Sequence, residues 1–73
     1  MIPMRAEVVG RNKKWAWIRV FTDRWYILTL SDSVLPRGTK EARWVNLEID
    51  PGSLHNDGLH YTADVIITGK ADD

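Results

Sequence analysis

Apolar and polar residues alternate along most of this chain, so positions two apart share a character, and no long segment carries the three-and-four spacing of an amphipathic helix. The alternation predicts strands from Met4 to Arg11, Trp15 to Phe21, Arg24 to Leu30, Arg43 to Ile49 and Leu59 to Thr68. Between them, Gly10 to Lys13 and Thr22 to Arg24 are short enough for hairpin turns, whereas Leu35 to Ala42 and Asp50 to Gly58 read as longer polar loops. Ser31 to Leu35 suits a single helical turn capped by Asp32, and Asp50-Pro51-Gly52 is a turn. The expected fold is all-β: one domain over residues 1–73 forming a small five-stranded antiparallel barrel, with a frayed tail from Lys70 to Asp73.

Successive strand side chains point to opposite sides of a sheet, so each strand divides into a core face and an outer face. In the second strand Ala16, Ile18 and Val20 oppose Trp15, Trp17 and Arg19, and a guanidinium cannot be buried unpaired; the first set goes inward. The same choice sends Tyr26, Leu28 and Leu30 in and Trp25, Ile27 and Thr29 out. It sends Val45, Leu47 and Ile49 in and Trp44, Asn46 and Glu48 out. Tyr61, Ala63, Val65 and Ile67 face inward opposite His60, Thr62, Asp64 and Ile66, while Met4, Ala6 and Val8 face inward opposite Arg5, Glu7, Val9 and Arg11. All four tryptophans thus fall on the outer face, subject to the rule that one bulge reverses the parity beyond it.

Composition adds constraints. At 73 residues with no cysteine, the chain has neither a disulfide nor a thiolate metal site to staple it, and its stability rests on packing. Nothing approaches the roughly 20 apolar residues that cross a bilayer, and no signal-peptide stretch opens the chain, so a soluble cytoplasmic protein without a membrane partner is expected. Formal net charge is zero, yet residues 1–43 hold nine cations against four anions, and the remainder holds Lys70 against six acids. That asymmetry can place a basic face on a neutral molecule.

Exposed aromatics beside Lys13, Lys14 and Arg19 are what single-stranded nucleic acid needs: rings stack on bases while cations follow the phosphates. A protein partner, a homodimer through the tryptophan face, or the chain's own loops are the alternative covers for the same residues. No catalytic constellation appears. His55 and His60 read as solvated loop residues, and neither a metal site, a cofactor nor an enzymatic activity is expected.

One resemblance bears on the choice. Lys14-Trp15-Ala16-Trp17-Ile18 resembles the first ribonucleoprotein motif of the cold-shock domain family, K-G-F-G-F-I, with Trp in both Phe places and Ala for the second Gly. Tyr26-Ile27-Leu28-Thr29-Leu30-Ser31 is similar to its second motif, V-F-V-H-x-S, at the same spacing; Val45 to Ile49 and Thr62 to Val65 resemble its later strands. The resemblance implies an OB-fold barrel that binds single-stranded RNA or DNA on its second and third strands, as an RNA chaperone or regulatory protein. It assigns stacking to Trp15 and Trp17, basic contacts to Lys13 and Lys14, and the second-motif contacts to Ile27 and Thr29. Tyr61 falls near its fifth-strand contacts, and Trp25 and Trp44 share the predicted face. Ile27 and Thr29 lack the rings that the family carries there, and Val8 or Val9 stands where the family usually has Trp.

Overall fold

The computed structural model describes residues 1–35 and 43–71. Alternation becomes strand wherever it was expected in the first half of the chain: β1 (Ile2–Arg11), β2 (Trp15–Phe21), β3 (Trp25–Ser31) and, after the loop, β4 (Trp44–Ile49). The expected polar loop over 36–42 lies outside the described residues. β5 (His55–Asn56), β6 (Tyr61–Thr62) and β7 (Val65–Lys70) complete one sheet in the order β5-β6-β3-β2-β1-β4-β7. Among the described residues there is no α-helix, only single 3-10 turns at Asp32–Val34 and Pro51–Ser53, and no helix long and apolar enough to cross a membrane.

The strand count differs from five because the segment expected as one strand from Leu59 to Thr68 changes neighbours midway. Tyr61 pairs in parallel with Leu28 of β3, whereas Val65 pairs antiparallel with Ile49 of β4. Between them the Asp64 carbonyl accepts from the Asp50 amide at 3.1 Å, and the Asp64 amide donates to Ser53 Oγ at 2.7 Å. The parity nevertheless survives the break: Tyr61, Ala63, Val65 and Ile67 all pack against the core. The other added strand, β5, forms a hairpin with β6 inside what the sequence presents as a loop. Lys70 and Ala71 are held rather than frayed, Lys70 in β7 and the Ala71 amide on the Trp44 carbonyl at 3.0 Å; the rest of the expected tail, Asp72 and Asp73, lies outside the described residues.

This connectivity forces the sheet to curl. Five inter-strand spacings separate β6 from β7, about 24 Å if the sheet were flat, yet Thr62 and Val65 are joined through two residues that reach about 11 Å. The sheet therefore wraps into a half-barrel with one concave side. Ala6, Ala16, Ile18, Val20, Leu28, Val45 and Ile49 are fully buried there, and Leu47 almost so, which is the core that alternation predicts.

Two local expectations change. β1 is bulged: Val8 pairs with Ile18 but Gly10 pairs with Trp17, leaving Val9 as the extra residue and Arg11 opposite Ala16. The bulge reverses parity, so Arg11, expected outward, shares the side of Ala16 at the end of the sheet. It binds Asp32 through both carboxylate oxygens, at 2.9 and 3.0 Å. Asp32 is thereby occupied in tertiary structure, and the helical turn is capped instead by Ser31, whose Oγ accepts from the Ser33 amide at 3.4 Å.

Candidate functional site

On the convex side of the hairpin, β2 and β3 set their outward residues in four cross-strand pairs: Trp15 with Ser31, Trp17 with Thr29, Arg19 with Ile27, and Phe21 with Trp25. Directly opposed residues share a face, so all of these side chains leave the core together. Trp44 is also outward, opposite Glu7 of β1, with the Arg5 guanidinium 4.9 Å from its ring centroid. The tryptophans differ in access. Trp25 is 58% exposed and Trp15 39%, while Trp17, lying against Gly10, and Trp44 are half-buried.

The β5–β6 hairpin gives this face a wall. Its turn is built by short polar side chains: Asn56 Oδ1 accepts from the Gly58 amide at 2.7 Å, and Asp57 Oδ1 accepts from the Leu59 and His60 amides at 3.2 and 3.1 Å. Those two amides, Leu59 first, hold the Asp57 carboxyl below the usual carboxylate range. Gly58 has φ of 105°, a conformation that glycine adopts without a Cβ penalty. The turn projects Leu59 almost wholly into solvent. A groove of about 430 Å³ results, bounded by Trp17, Trp25, Ile27, Leu59 and Tyr61 and also lined by Thr29, which is only 8% exposed.

Charge is less available than the sequence suggests. Lys13 and Lys14 are exposed on the β1–β2 turn, where Asn12 Oδ1 accepts from the Lys14 and Trp15 amides at 2.8 and 2.7 Å; Lys14 Nζ lies 5.8 Å from the Trp15 centroid. Arg19, by contrast, donates its Nη2 to Glu7 at 2.7 Å while its guanidinium lies 4.8 Å from the Trp25 centroid. Arg43 approaches the other oxygen of the same carboxylate at 3.5 Å. One anion at the middle of the face thus serves two cations. Arg24 lies 4.8 Å from the Tyr26 centroid and reaches the Tyr61 hydroxyl at 3.4 Å, and Tyr26 and Tyr61 meet edge to face at 5.0 Å.

Of the residues singled out from the sequence, Trp17, Trp25, Ile27, Thr29 and Tyr61 come together in the groove, and Lys13, Lys14 and Trp15 sit at one end of it. Arg19 lies between Glu7 and Trp25. Two further residues belong to the face. Phe21 packs edge to face on Trp25 at 5.2 Å, and its place was legible as the next outward position after Arg19. Leu59 carried no such signal, because the reach of its turn depends on β5 pairing with β6.

The histidines make local contacts. His55 Nε2 is 3.1 Å from Thr62 Oγ1, and His60 Nε2 is 3.4 Å from Asp57. No group of three or more His, Cys, Asp and Glu side chains among the described residues is placed to hold a metal. No family model, curated protein or solved structure matches the chain.

Proposed function

We propose that this protein is a non-enzymatic cytoplasmic binder of single-stranded RNA or DNA, built as an OB-type barrel that stacks bases on the outward side of β2 and β3. The observation that carries the reading is the outward set of Trp15, Trp17, Phe21 and Trp25, interrupted by the Arg19–Ile27 pair, with Lys13 and Lys14 on the adjoining turn. The connectivity supports the barrel type, since a single segment runs from a parallel pairing with β3 to an antiparallel pairing with β4 and so bridges the two ends of the curl. Stacking contributes roughly 1–3 kcal/mol per base, so three indoles approach the roughly 8 kcal/mol of a micromolar complex before ordering costs. Ile27 packs against a base without stacking on it, and the largely buried Thr29 lines the groove more than it contacts a ligand.

Titrating a short oligopyrimidine at low salt should quench tryptophan fluorescence, and an unchanged spectrum at tens of micromolar overturns the reading. A second reading has its own support. Ile27 is 47% exposed and Leu59 92%, and Glu7 neutralises Arg19, all of which suit a protein partner or a second copy better than a polyanion. Under that reading sedimentation shows a concentration-dependent dimer, or partner binding is nearly independent of salt.

A further inference from the structure

A second concavity adjoins the tryptophan groove, with Tyr26 lining both, at the end of the half-barrel where β1 begins and the β2–β3 hairpin turns. It measures about 680 Å³, and its apolar walls are Ile2, Met4, Phe21, Tyr26 and Leu54. Met4, Tyr26 and Leu54 are half-buried and packed on the core, so the floor is firm; Ile2 and Phe21 are about half exposed and form the rim. One carboxylate borders this apolar surface. Asp23 sits on the hairpin turn, and Thr22 Oγ1 donates to its Oδ1 at 2.9 Å. No cation of the described residues comes within 4.0 Å of it in an ion pair. Its sequence neighbour Arg24 is engaged with the Tyr26 ring and the Tyr61 hydroxyl.

We propose that this basin docks an extended peptide segment of a partner protein, seating a bulky apolar side chain against Met4, Tyr26 and Leu54 and the lysine or arginine next to it against Asp23. Two features choose the occupant. The carboxylate without an ion-pair partner selects a cation beside an apolar group. The half-exposed rim covers only one side of whatever enters, as a side-chain pocket of a protein interface does, whereas small-molecule sites enclose most of their ligand. The Thr22 hydroxyl first, and with smaller effect the Tyr26 hydroxyl and the Arg24 charge, hold the Asp23 carboxyl below the usual carboxylate range. Phe21 borders both this basin and the tryptophan face, and Tyr26 lines both concavities; the proposal rests on Met4, Leu54 and Asp23, which lie outside the groove.

The test is an amide chemical-shift titration of the full chain with two probes, N-acetyl-Phe-Lys-amide and N-acetyl-Phe-Glu-amide. The lysine peptide should move the amides of Ile2, Met4, Thr22, Asp23 and Leu54 saturably. It should bind about two- to fivefold more tightly than the glutamate peptide, the range that one exposed ion pair supplies. Asp23→Asn keeps an oxygen for Thr22 and should erase the difference between the probes while retaining the apolar contact. Equal binding of both probes by the wild-type chain overturns the proposal, as does the absence of shifts at millimolar peptide. Shifts confined to the Trp17 and Ile27 groove overturn it as well.

Discussion

Glu7 is the residue whose removal tests the proposed nucleic-acid face most sharply. It is the one anion described on the outward side of β1 and β2, and it holds Arg19 at 2.7 Å and Arg43 at 3.5 Å. Any phosphate that reaches Arg19 must compete with it. Glu7→Gln keeps the shape and an acceptor oxygen but deletes the charge. Three cations, Lys13, Lys14 and Arg24, flank the β2–β3 face without a carboxylate partner within 4.0 Å among the described residues. For a single strand that predicts a slope of log K on log salt of about −2 in the wild-type chain. Releasing Arg19, and Arg43 with it, steepens the slope to between about −3 and −3.5.

A charge–charge contact at 4 Å in water is worth about 1 kcal/mol before screening, so low-salt affinity should rise roughly two- to fivefold. The cost to the fold is small, since surface pairs contribute about 0–1 kcal/mol, equivalent to at most about 8 °C in Tm for a domain of this size. Anisotropy of a labelled oligothymidylate at several salt concentrations reads both affinity and slope, and circular dichroism checks the fold. A Glu7→Gln variant that is folded but binds no more tightly, with an unchanged slope, refutes the argument about Glu7. A wild-type chain that does not bind at all refutes the function itself.

Four further outcomes follow from the same geometry. Trp17→Ala should weaken oligonucleotide binding by about 1–3 kcal/mol while lowering Tm modestly, because its ring is half-buried on the outer face; a large Tm loss with unchanged binding would make Trp17 a packing residue. Leu28→Ala opens a cavity at a fully buried position and should cost about 2–5 kcal/mol in urea denaturation, and a cost below that range contradicts the core assignment. Asp32→Asn removes the carboxylate that binds Arg11 through both oxygens and leaves that guanidinium uncompensated at the end of the sheet; it should cost about 1–3 kcal/mol, and a neutral result argues that solvent replaces it. For Asp57 the folded pKa is depressed, so its support of the β5–β6 turn is present above the unfolded value of about 3.9 and is lost as pH falls through the folded value. Loss of amide protection at Leu59 and His60, relative to the intrinsic exchange rate at each pH, is expected only in that acidic window, and loss already near pH 6 contradicts it.

Much of the molecule was legible in period-two alternation because that signal is local. Ile18 beside Arg19 settles which way β2 faces without knowing its neighbours, and all four tryptophans followed from such choices. The strand residues of the core followed as well, from Ala6 to Ile49, but Leu35, read as the start of a polar loop, is also buried there. Even across the break at Ala63 and Asp64 the inward positions kept their sides, since alternation continues through an extended chain whether or not it is paired.

Alternation says nothing about which strand lies alongside, and the main departures are of that kind. The bulge at Val9 turned Arg11 toward Asp32 only because β1 must keep register with β2 on both sides of it. One predicted strand became β6 and β7 because its two halves pair with β3 and β4, and closing that circuit within two residues bends the whole sheet. The same pairing brings Leu59 and Tyr61 beside Trp17 and Trp25 to make a groove, and the β1–β2 register puts Glu7 against Arg19. Sequence alone therefore determined which side the strand residues face, Arg11 beyond the bulge excepted, because facing is a matter of the backbone pleat. Tertiary structure alone decided which residues share that side as neighbours, because cross-strand contacts join positions far apart in the chain.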